Sequence, residues 1–162
     1  MKKIILFILG STISIFVFAS DTAKLYNHNA NASKDIELLI LKAKKEKKHI
    51  LLQAGGNWCS WCIKFNKFTT EDKQMDSVIQ KNYIVYHLNY SSENKNPAIF
   101  AKYHFPQRFG FPVFIILNSN GKQIHTQNSV YLEEGKGYNK ERILDFLNSW
   151  TAASLNPNNY KE

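Results

Sequence analysis

Cysteine is scarce in this chain, because only Cys59 and Cys62 occur among its 162 residues. A framework of several disulfide bonds is therefore excluded, and stability must come from a hydrophobic core. A chain of this length can bury such a core as a single domain. Apolar residues make up 44% of the sequence and aromatic residues 14%, which is typical of a globular protein and not of a disordered one.

Acidic residues are also few, with 13 Asp and Glu against 21 Lys and Arg, so the formal net charge is +8. The lysines are spread along the chain, except for one dense run over residues 42–48. Such a run is typical of the solvated face of a helix, whereas nucleic-acid surfaces more often interleave basic and aromatic residues. We therefore expect no nucleic-acid partner, although the charge favours acidic partners or anionic membrane surfaces.

The N-terminal apolar run, residues 4–18, is shorter than the roughly 20 residues that a membrane span needs. It follows two lysines and ends at Ala19 in a small-x-small pattern, so residues 1–19 are predicted to be a secretory signal peptide cleaved near Ala19. An uncleaved membrane anchor is the alternative. The mature protein is accordingly expected in the periplasm or secreted, where disulfides persist.

The rest of the chain divides into three predicted parts. Residues 20–33 are polar and rich in Asn and Ala, which predicts a loosely held leader segment. Residues 34–152 are predicted to form one domain, and residues 153–162 a frayed tail.

The apolar patterns and turn signals predict these elements: a helix capped by Ser33 or Asp35 through about residue 47, a strand at 49–54, a helix from Cys59, a short helix at 75–81, a strand at 83–90, a helix at 97–103, strands at 113–117 and 122–126 around an Asn/Gly turn, a loop containing Gly135 and Gly137, and a helix to about residue 150. This order predicts an α/β fold with a central mixed sheet, helices on both faces and a C-terminal antiparallel hairpin.

The two cysteines lie three residues apart in the stretch GGNWCSWC, residues 55–62, and each follows a tryptophan. A closed zinc site needs four ligands, and none of the five histidines forms the second half of such a motif. A c-type haem needs His directly after the second cysteine, but residue 63 is Ile. We therefore expect neither a metal nor another cofactor.

A redox pair has a physical basis in this pattern. Cys59 begins a helix, whose N-terminal dipole and free N–H groups favour a thiolate, and Cys62 follows nearly one turn later. Cys59 would attack a protein or peptide disulfide, and Cys62 would then resolve the mixed disulfide. A purely structural disulfide is the alternative, although a bond that closes so short a loop stabilises weakly.

At these residues the chain resembles the thioredoxin superfamily over roughly residues 34–152. The resemblance is carried by HILLQAGG, by NWCSWC and by RFGFPVF at residues 108–114, and it is greatest to secreted bacterial proteins of the thiol–disulfide interchange type. It implies that Pro112 is cis and faces the cysteines, and that the backbone of Phe111 pairs with a bound peptide. Trp58 is predicted to shield Cys59 and to form part of the peptide-binding surface, unless it simply packs.

The sequence departs from thioredoxin itself between and beneath the cysteines. Ser60 and Trp61 replace Gly-Pro, which leaves the reduction potential open, and we expect Trp61 to be exposed beside the disulfide. Gln53 replaces a buried acid that helps to move the proton of the second cysteine. Another group, with Glu71 as a candidate, or water must then take that proton.

The direction of electron flow follows from the resemblance alone, which favours a reductase supplied by a membrane electron donor. The alternatives are a disulfide oxidase or isomerase, or a non-catalytic peptide-binding or chaperone module on the same fold.

Overall fold

A computed structural model describes residues 24–161. The predicted signal peptide and the first residues of the predicted leader segment lie outside this range. Within it, no helix is both long enough and apolar enough to cross a membrane.

Five α-helices and six β-strands follow one another in the described part of the chain. In order they are α1 Ala32–Glu46, β1 His49–Gly55, α2 Ser60–Glu71, α3 Lys73–Asn82, β2 Tyr83–Asn89, α4 Pro97–Lys102, β3 Val113–Leu117, β4 Gln123–Asn128, β5 Glu133–Glu134, β6 Gly137–Tyr138 and α5 Lys140–Ser149. The first helix begins earlier than expected, because Asn31 caps it by accepting a hydrogen bond from the backbone N–H of Lys34.

The central sheet has the strand order β2-β1-β3-β4. Strands β1 and β2 run parallel, whereas β3 is antiparallel to β1 and pairs with β4 as a hairpin. The hairpin turn is closed by Asn118, whose side chain accepts from the N–H groups of Asn120 and Lys122. The predicted mixed α/β architecture with a C-terminal antiparallel hairpin is therefore confirmed.

Each face of the sheet is covered by a separate hydrophobic cluster. One cluster joins Ile36 and Ala43 of α1 to the sheet, and the other joins Phe65 of α2 and Ile143 of α5 to the opposite face. Every residue of β1 is buried, because helices cover both faces of the central strand. This explains why His49–Gly55 is mostly apolar, with His49 and Gln53 as its two polar residues.

Three segments differ from the sequence-based expectations. The described part of the leader segment is not loosely held, because Tyr26 is 1% exposed and packs in the interior. The glycines expected in a plain loop lie in a two-stranded ribbon, in which Glu133 pairs with Tyr138 across a turn containing Gly135 at φ +57°. The tail forms a 3-10 turn over Pro157–Tyr160, in which the Tyr160 hydroxyl donates to Ser154 O. The buried position of Tyr26 depends on residues distant in sequence, whereas the ribbon and the tail turn are held by contacts between residues five and six apart.

Candidate active site

Cys59 and Cys62 form a disulfide at the N-terminus of α2, with their Cα atoms 5.2 Å apart. Cys59 is the N-cap of the helix, and its Sγ accepts a hydrogen bond from the backbone N–H of Cys62 at 3.1 Å. Hydrogen-bond donors at a helix N-terminus stabilise negative charge. The fold therefore holds the first sulfur where a thiolate is favoured, as the spacing predicts.

The two sulfurs differ in their accessibility. Cys59 is 5% exposed and Cys62 is 0% exposed. Trp61 and Phe111 pack against the pair, together with Leu25 from the N-terminal segment. Of the two cysteines, Cys59 therefore has the larger accessible surface.

Pro112 precedes β3, and the peptide bond between Phe111 and Pro112 is cis, as the resemblance implies. Because Val113 pairs with Ala54, this proline lies at the end of the sheet where β1 leads into the cysteine loop. The structure thus brings Phe111 and Pro112, which are distant in sequence, to the same end of the sheet as the disulfide.

Trp58 is exposed but fixed in position. Its side chain is 60% exposed, its indole N–H donates to Tyr90 O at 2.7 Å, and its ring contacts Phe111 edge to face at 5.5 Å. A Cβ on Gly56 would lie 2.3 Å from the indole nitrogen, so this glycine makes room for the tryptophan. The arrangement presents a rigid aromatic surface beside Cys59.

Trp61 is half-buried rather than exposed, which corrects the expectation. Its ring contacts Tyr138 edge to face at 5.3 Å, and the Tyr138 hydroxyl donates to Trp61 O at 3.1 Å. The ammonium of Lys64 lies 4.6 Å from the centre of the ring. The covering residue, Tyr138, comes from β6, which sequence patterns did not predict.

A buried polar pair lies beneath the disulfide. Gln53 Nε2 donates to the Tyr26 hydroxyl and to Cys62 O, both at 2.9 Å. Tyr26 is fixed there by Asn57, which accepts from the Tyr26 N–H at 3.0 Å and donates to its carbonyl at 2.7 Å. Burial raises the pKa of the Tyr26 hydroxyl. Sequence analysis missed Tyr26, and its one signal was a lone tyrosine in a polar segment.

Glu71 does not serve this buried pair, so the candidate was wrong. It ends α2 and forms an exposed ion pair with Lys67 at 3.8 Å. The helical rise places it about 14 Å along the axis from Cys62. No short-range contact joins its carboxylate to the disulfide at that distance.

His87 of β2 is a second polar residue at this place, and it is half-buried. It pairs with Gln53 across the parallel strands, and its ring meets that of Tyr26 edge to face at 5.5 Å. Its Nε2 is buried and has no hydrogen-bond partner within residues 24–161. Burial lowers the pKa of His87 to about 4, so the ring is neutral at neutral pH.

The depressed pKa of His87 predicts a loss of stability in acid. The unfolded chain binds the proton near pH 6.5 and the folded chain only near pH 4, so stability is lost as pH falls through this window. We expect the contribution to reach at most about 3 kcal/mol. Urea unfolding of the wild type and of His87→Asn at pH 7 and pH 4.5 measures it.

The variant should show a smaller loss between the two pH values, although its stability at pH 7 is also lower. His104→Asn, at an exposed position, is the matched control and should keep the wild-type pH dependence. An unchanged pH dependence in His87→Asn would contradict the assignment.

Metal ligands are not gathered at this site: within residues 24–161, no three or more His, Cys, Asp or Glu side chains lie together in a group that could hold a metal ion.

Comparison with known proteins gives a family match and several similar folds. A family model described as thioredoxin-like matches residues 31–119, whereas no curated protein matches the chain. A disulphide isomerase from Xylella fastidiosa Temecula1 is 24% identical with a TM-score of 0.67, over 76% of this chain and 94% of that chain. The reduced C-terminal domain of DsbD from Neisseria meningitidis is 13% identical with a TM-score of 0.55, over 74% of this chain and 96% of that one. A DsbH oxidoreductase is 22% identical with a TM-score of 0.53, over 72% of this chain and 80% of that one. At these identities the likeness establishes the fold.

Proposed function

This chain belongs to the thioredoxin-like family, and from that premise we propose that it is a thiol–disulfide oxidoreductase that reduces protein disulfides outside the cytoplasm. The observation that carries the proposal is a disulfide at a helix N-terminus in which the first cysteine is 5% exposed and the second 0% exposed. A helix N-terminus lowers the pKa of a thiol, which makes it both a nucleophile and a good leaving group.

In the proposed reaction, the thiolate of Cys59 attacks a sulfur of the substrate disulfide. A bond forms between Cys59 and that sulfur, and the other substrate sulfur leaves as a thiolate that takes a proton from water. Cys62 then attacks Cys59, which restores the internal disulfide and releases the second substrate thiol. Two electrons pass from the cysteine pair to the substrate.

Trp58, Phe111 and Pro112 are proposed to dock the substrate. The support is that the exposed indole of Trp58 is held by Tyr90 and Phe111 and so loses little freedom on binding. An extended peptide lying along Phe111 would bring its disulfide to the exposed side of Cys59. Partners are therefore protein or peptide disulfides and thiols.

The proposed location rests on residues 1–19, which have the charge and apolar pattern of a signal peptide. A reductase outside the cytoplasm must have its own disulfide reduced again after each turnover. We propose that a membrane protein donates these two electrons through its own dithiol, which becomes oxidised in exchange.

The equilibrium of the Cys59–Cys62 pair with glutathione tests the direction. A reductase is expected near about −270 mV, whereas an oxidase would lie near about −120 mV and an isomerase between them. A value near the oxidase end would overturn the proposed direction but not the redox role. The similar Xylella protein is named a disulphide isomerase. A reduction potential between the two ends would favour that activity for this chain.

Activity assays separate the redox proposal from a peptide-binding or chaperone module. The wild type should speed the reduction of insulin by a dithiol, since the cysteine pair passes the electrons on. If it neither reduces insulin nor oxidises a dithiol peptide, the redox proposal is wrong and the binding module takes its place.

A further inference from the structure

The hydroxyl of Tyr26 and the buried sulfur of Cys62 both lie close to Gly55. A Cβ built on Gly55 would be 2.4 Å from Cys62 Sγ and 3.0 Å from the Tyr26 hydroxyl oxygen, so both atoms flank the same point. Because residue 55 is glycine, no side chain stands between the sulfur and the hydroxyl. The side chain of Gln53 reaches the same place from β1.

The hydrogen bonds at this place show that the Tyr26 oxygen is an acceptor toward Gln53. One amide atom of Gln53 contacts both Cys62 O and the Tyr26 oxygen at 2.9 Å. A carbonyl oxygen can only accept, so that amide atom is the NH2 group and the Tyr26 oxygen also accepts from it. The phenol hydrogen is therefore free for another acceptor.

We propose that, in the reduced protein, the Tyr26 hydroxyl donates a hydrogen bond to the thiolate of Cys62 and makes this cysteine more acidic. The inference rests on the proposed function, in which Cys62 is the resolving thiol. In the disulfide form Cys62 Sγ is bonded to Cys59 and carries no charge. Reduction frees this sulfur as a thiol. When the thiol ionises, the anion lies near the phenol, and a hydrogen bond to an anion is stronger than one to a neutral group.

Tyr26 acts here as a donor and not as a base. Burial raises the pKa of its hydroxyl, so the phenol keeps its proton throughout the reaction. When Cys62 resolves the mixed disulfide, its thiol gives a proton to water and its thiolate attacks Cys59. The bond between the two cysteines forms, the bond from Cys59 to the substrate breaks, and the substrate thiolate takes a proton from water.

The other titratable groups near Cys62 place no charge beside its sulfur that would compete with the Tyr26 hydroxyl. From β2, His87 is neutral because burial lowers its pKa to about 4. From β6, burial raises the pKa of Tyr138, and the charge of Glu133 raises it further. From α2, the ammonium of Lys64 is turned outward over Trp61 and donates to Lys136 O. A buried carboxylate would repel the thiolate, whereas a neutral phenol attracts it.

Tyr26 precedes the matched part of the family, which starts at residue 31. The donor therefore comes from a segment outside the region that defines the family. Asn57, one residue before Trp58, holds this segment through two hydrogen bonds of 3.0 and 2.7 Å. The N-terminal segment is in this way a part of the active site.

Titration of Cys62 as the only thiol, in a Cys59→Ala background, tests the inference through the ultraviolet absorbance of the thiolate. Adding Tyr26→Phe keeps the ring and removes the hydroxyl, which is both the proposed donor to Cys62 and the acceptor of a hydrogen bond from Gln53. We expect the midpoint to rise by about one pH unit, a tenfold fall in the acid dissociation constant.

Tyr83→Phe is the matched control, since Tyr83 is a buried tyrosine whose hydroxyl donates to Leu147 O. It should leave the midpoint of Cys62 unchanged. The inference is overturned if Tyr26→Phe does not move the midpoint, or if Tyr83→Phe moves it equally.

A second replacement keeps the test open should Tyr26→Phe fail to fold. Incorporation of 3-fluorotyrosine at position 26 keeps the ring and makes the phenol a stronger donor, so the midpoint of Cys62 should fall. An unchanged or raised midpoint would contradict the inference. These titrations use the Cys59→Ala background and need no substrate, whereas insulin turnover is measured with the wild type. An unmoved midpoint with normal wild-type turnover overturns this inference alone, and a moved midpoint without wild-type turnover overturns the proposed function alone.

Discussion

Cys59→Ser is expected to lower the rate of insulin reduction by more than about a thousandfold, the scale on which loss of a covalent nucleophile is measured. A serine hydroxyl stays protonated at neutral pH and does not exchange with a disulfide, so the first step of the reaction is lost. Cys62 cannot replace the missing sulfur because it is 0% exposed. The turbidity that follows insulin reduction measures this rate.

Cys62→Ser is the matched variant and separates the roles of the two cysteines. It should also lose turnover, but Cys59 can still attack and then cannot be released. Mixed disulfides with substrate proteins should therefore accumulate, and non-reducing gels with mass spectrometry should locate them at Cys59. The Cys59→Ser variant should trap almost none.

The two trapping results decide the assignment of the nucleophile. Equal trapping by both variants would show that the difference in exposure between Cys59 and Cys62 does not determine which sulfur attacks. Trapping by neither variant, with normal folding, would remove the redox proposal.

Tyr26→Ala is expected to destabilise the oxidised protein by about 3–5 kcal/mol, the range for removing a large buried aromatic ring. The side chain is 1% exposed, so its loss leaves a cavity between Gln53, His87 and the disulfide. Gln53 also loses one of its two acceptors in the interior, which adds to the cost. The midpoint of urea unfolding, at constant slope, measures the change.

Tyr160→Ala is the control for this experiment. The Tyr160 hydroxyl donates a hydrogen bond to a backbone carbonyl, but the side chain is 71% exposed, and its replacement should cost less than about 1 kcal/mol. Equal effects of the two variants would mean that the N-terminal segment is detached in solution. In that case the buried tyrosine would contribute neither to stability nor to the site.

Most secondary structure was predictable because the patterns that encode it are local. The apolar run Val113–Leu117 is a strand as predicted, since every residue of β3 is buried. The last helix presents the predicted apolar face, because Ile143, Leu144, Phe146 and Leu147 are all buried. Cys59 lies at a helix start because Gly55 and Gly56 end the strand before it.

The covering of the site was not predictable from such patterns. The partners of Trp61 and Gln53 are Tyr138 and Tyr26, at separations of 77 and 27 residues. Neither tyrosine carries a local signal, since Tyr138 follows a glycine-rich turn and Tyr26 lies in a polar segment. Glu71 was the wrong candidate because it lies at the far end of α2 from the cysteines. The number of helical residues between them, which the sequence shows, already places it too far away.

The sequence by itself determined the thioredoxin-like architecture, the cysteine pair and which of its sulfurs begins a helix, because turns, apolar runs and a three-residue spacing act over short distances. Tertiary structure alone decided which cysteine is the more accessible, that Trp58 is held at Tyr90 and that a tyrosine hydroxyl and the Cys62 sulfur both lie close to Gly55. These features depend on which distant segments share the interior. Burial is a property of the whole fold, so the environment of a sulfur follows from packing and not from its neighbours in sequence.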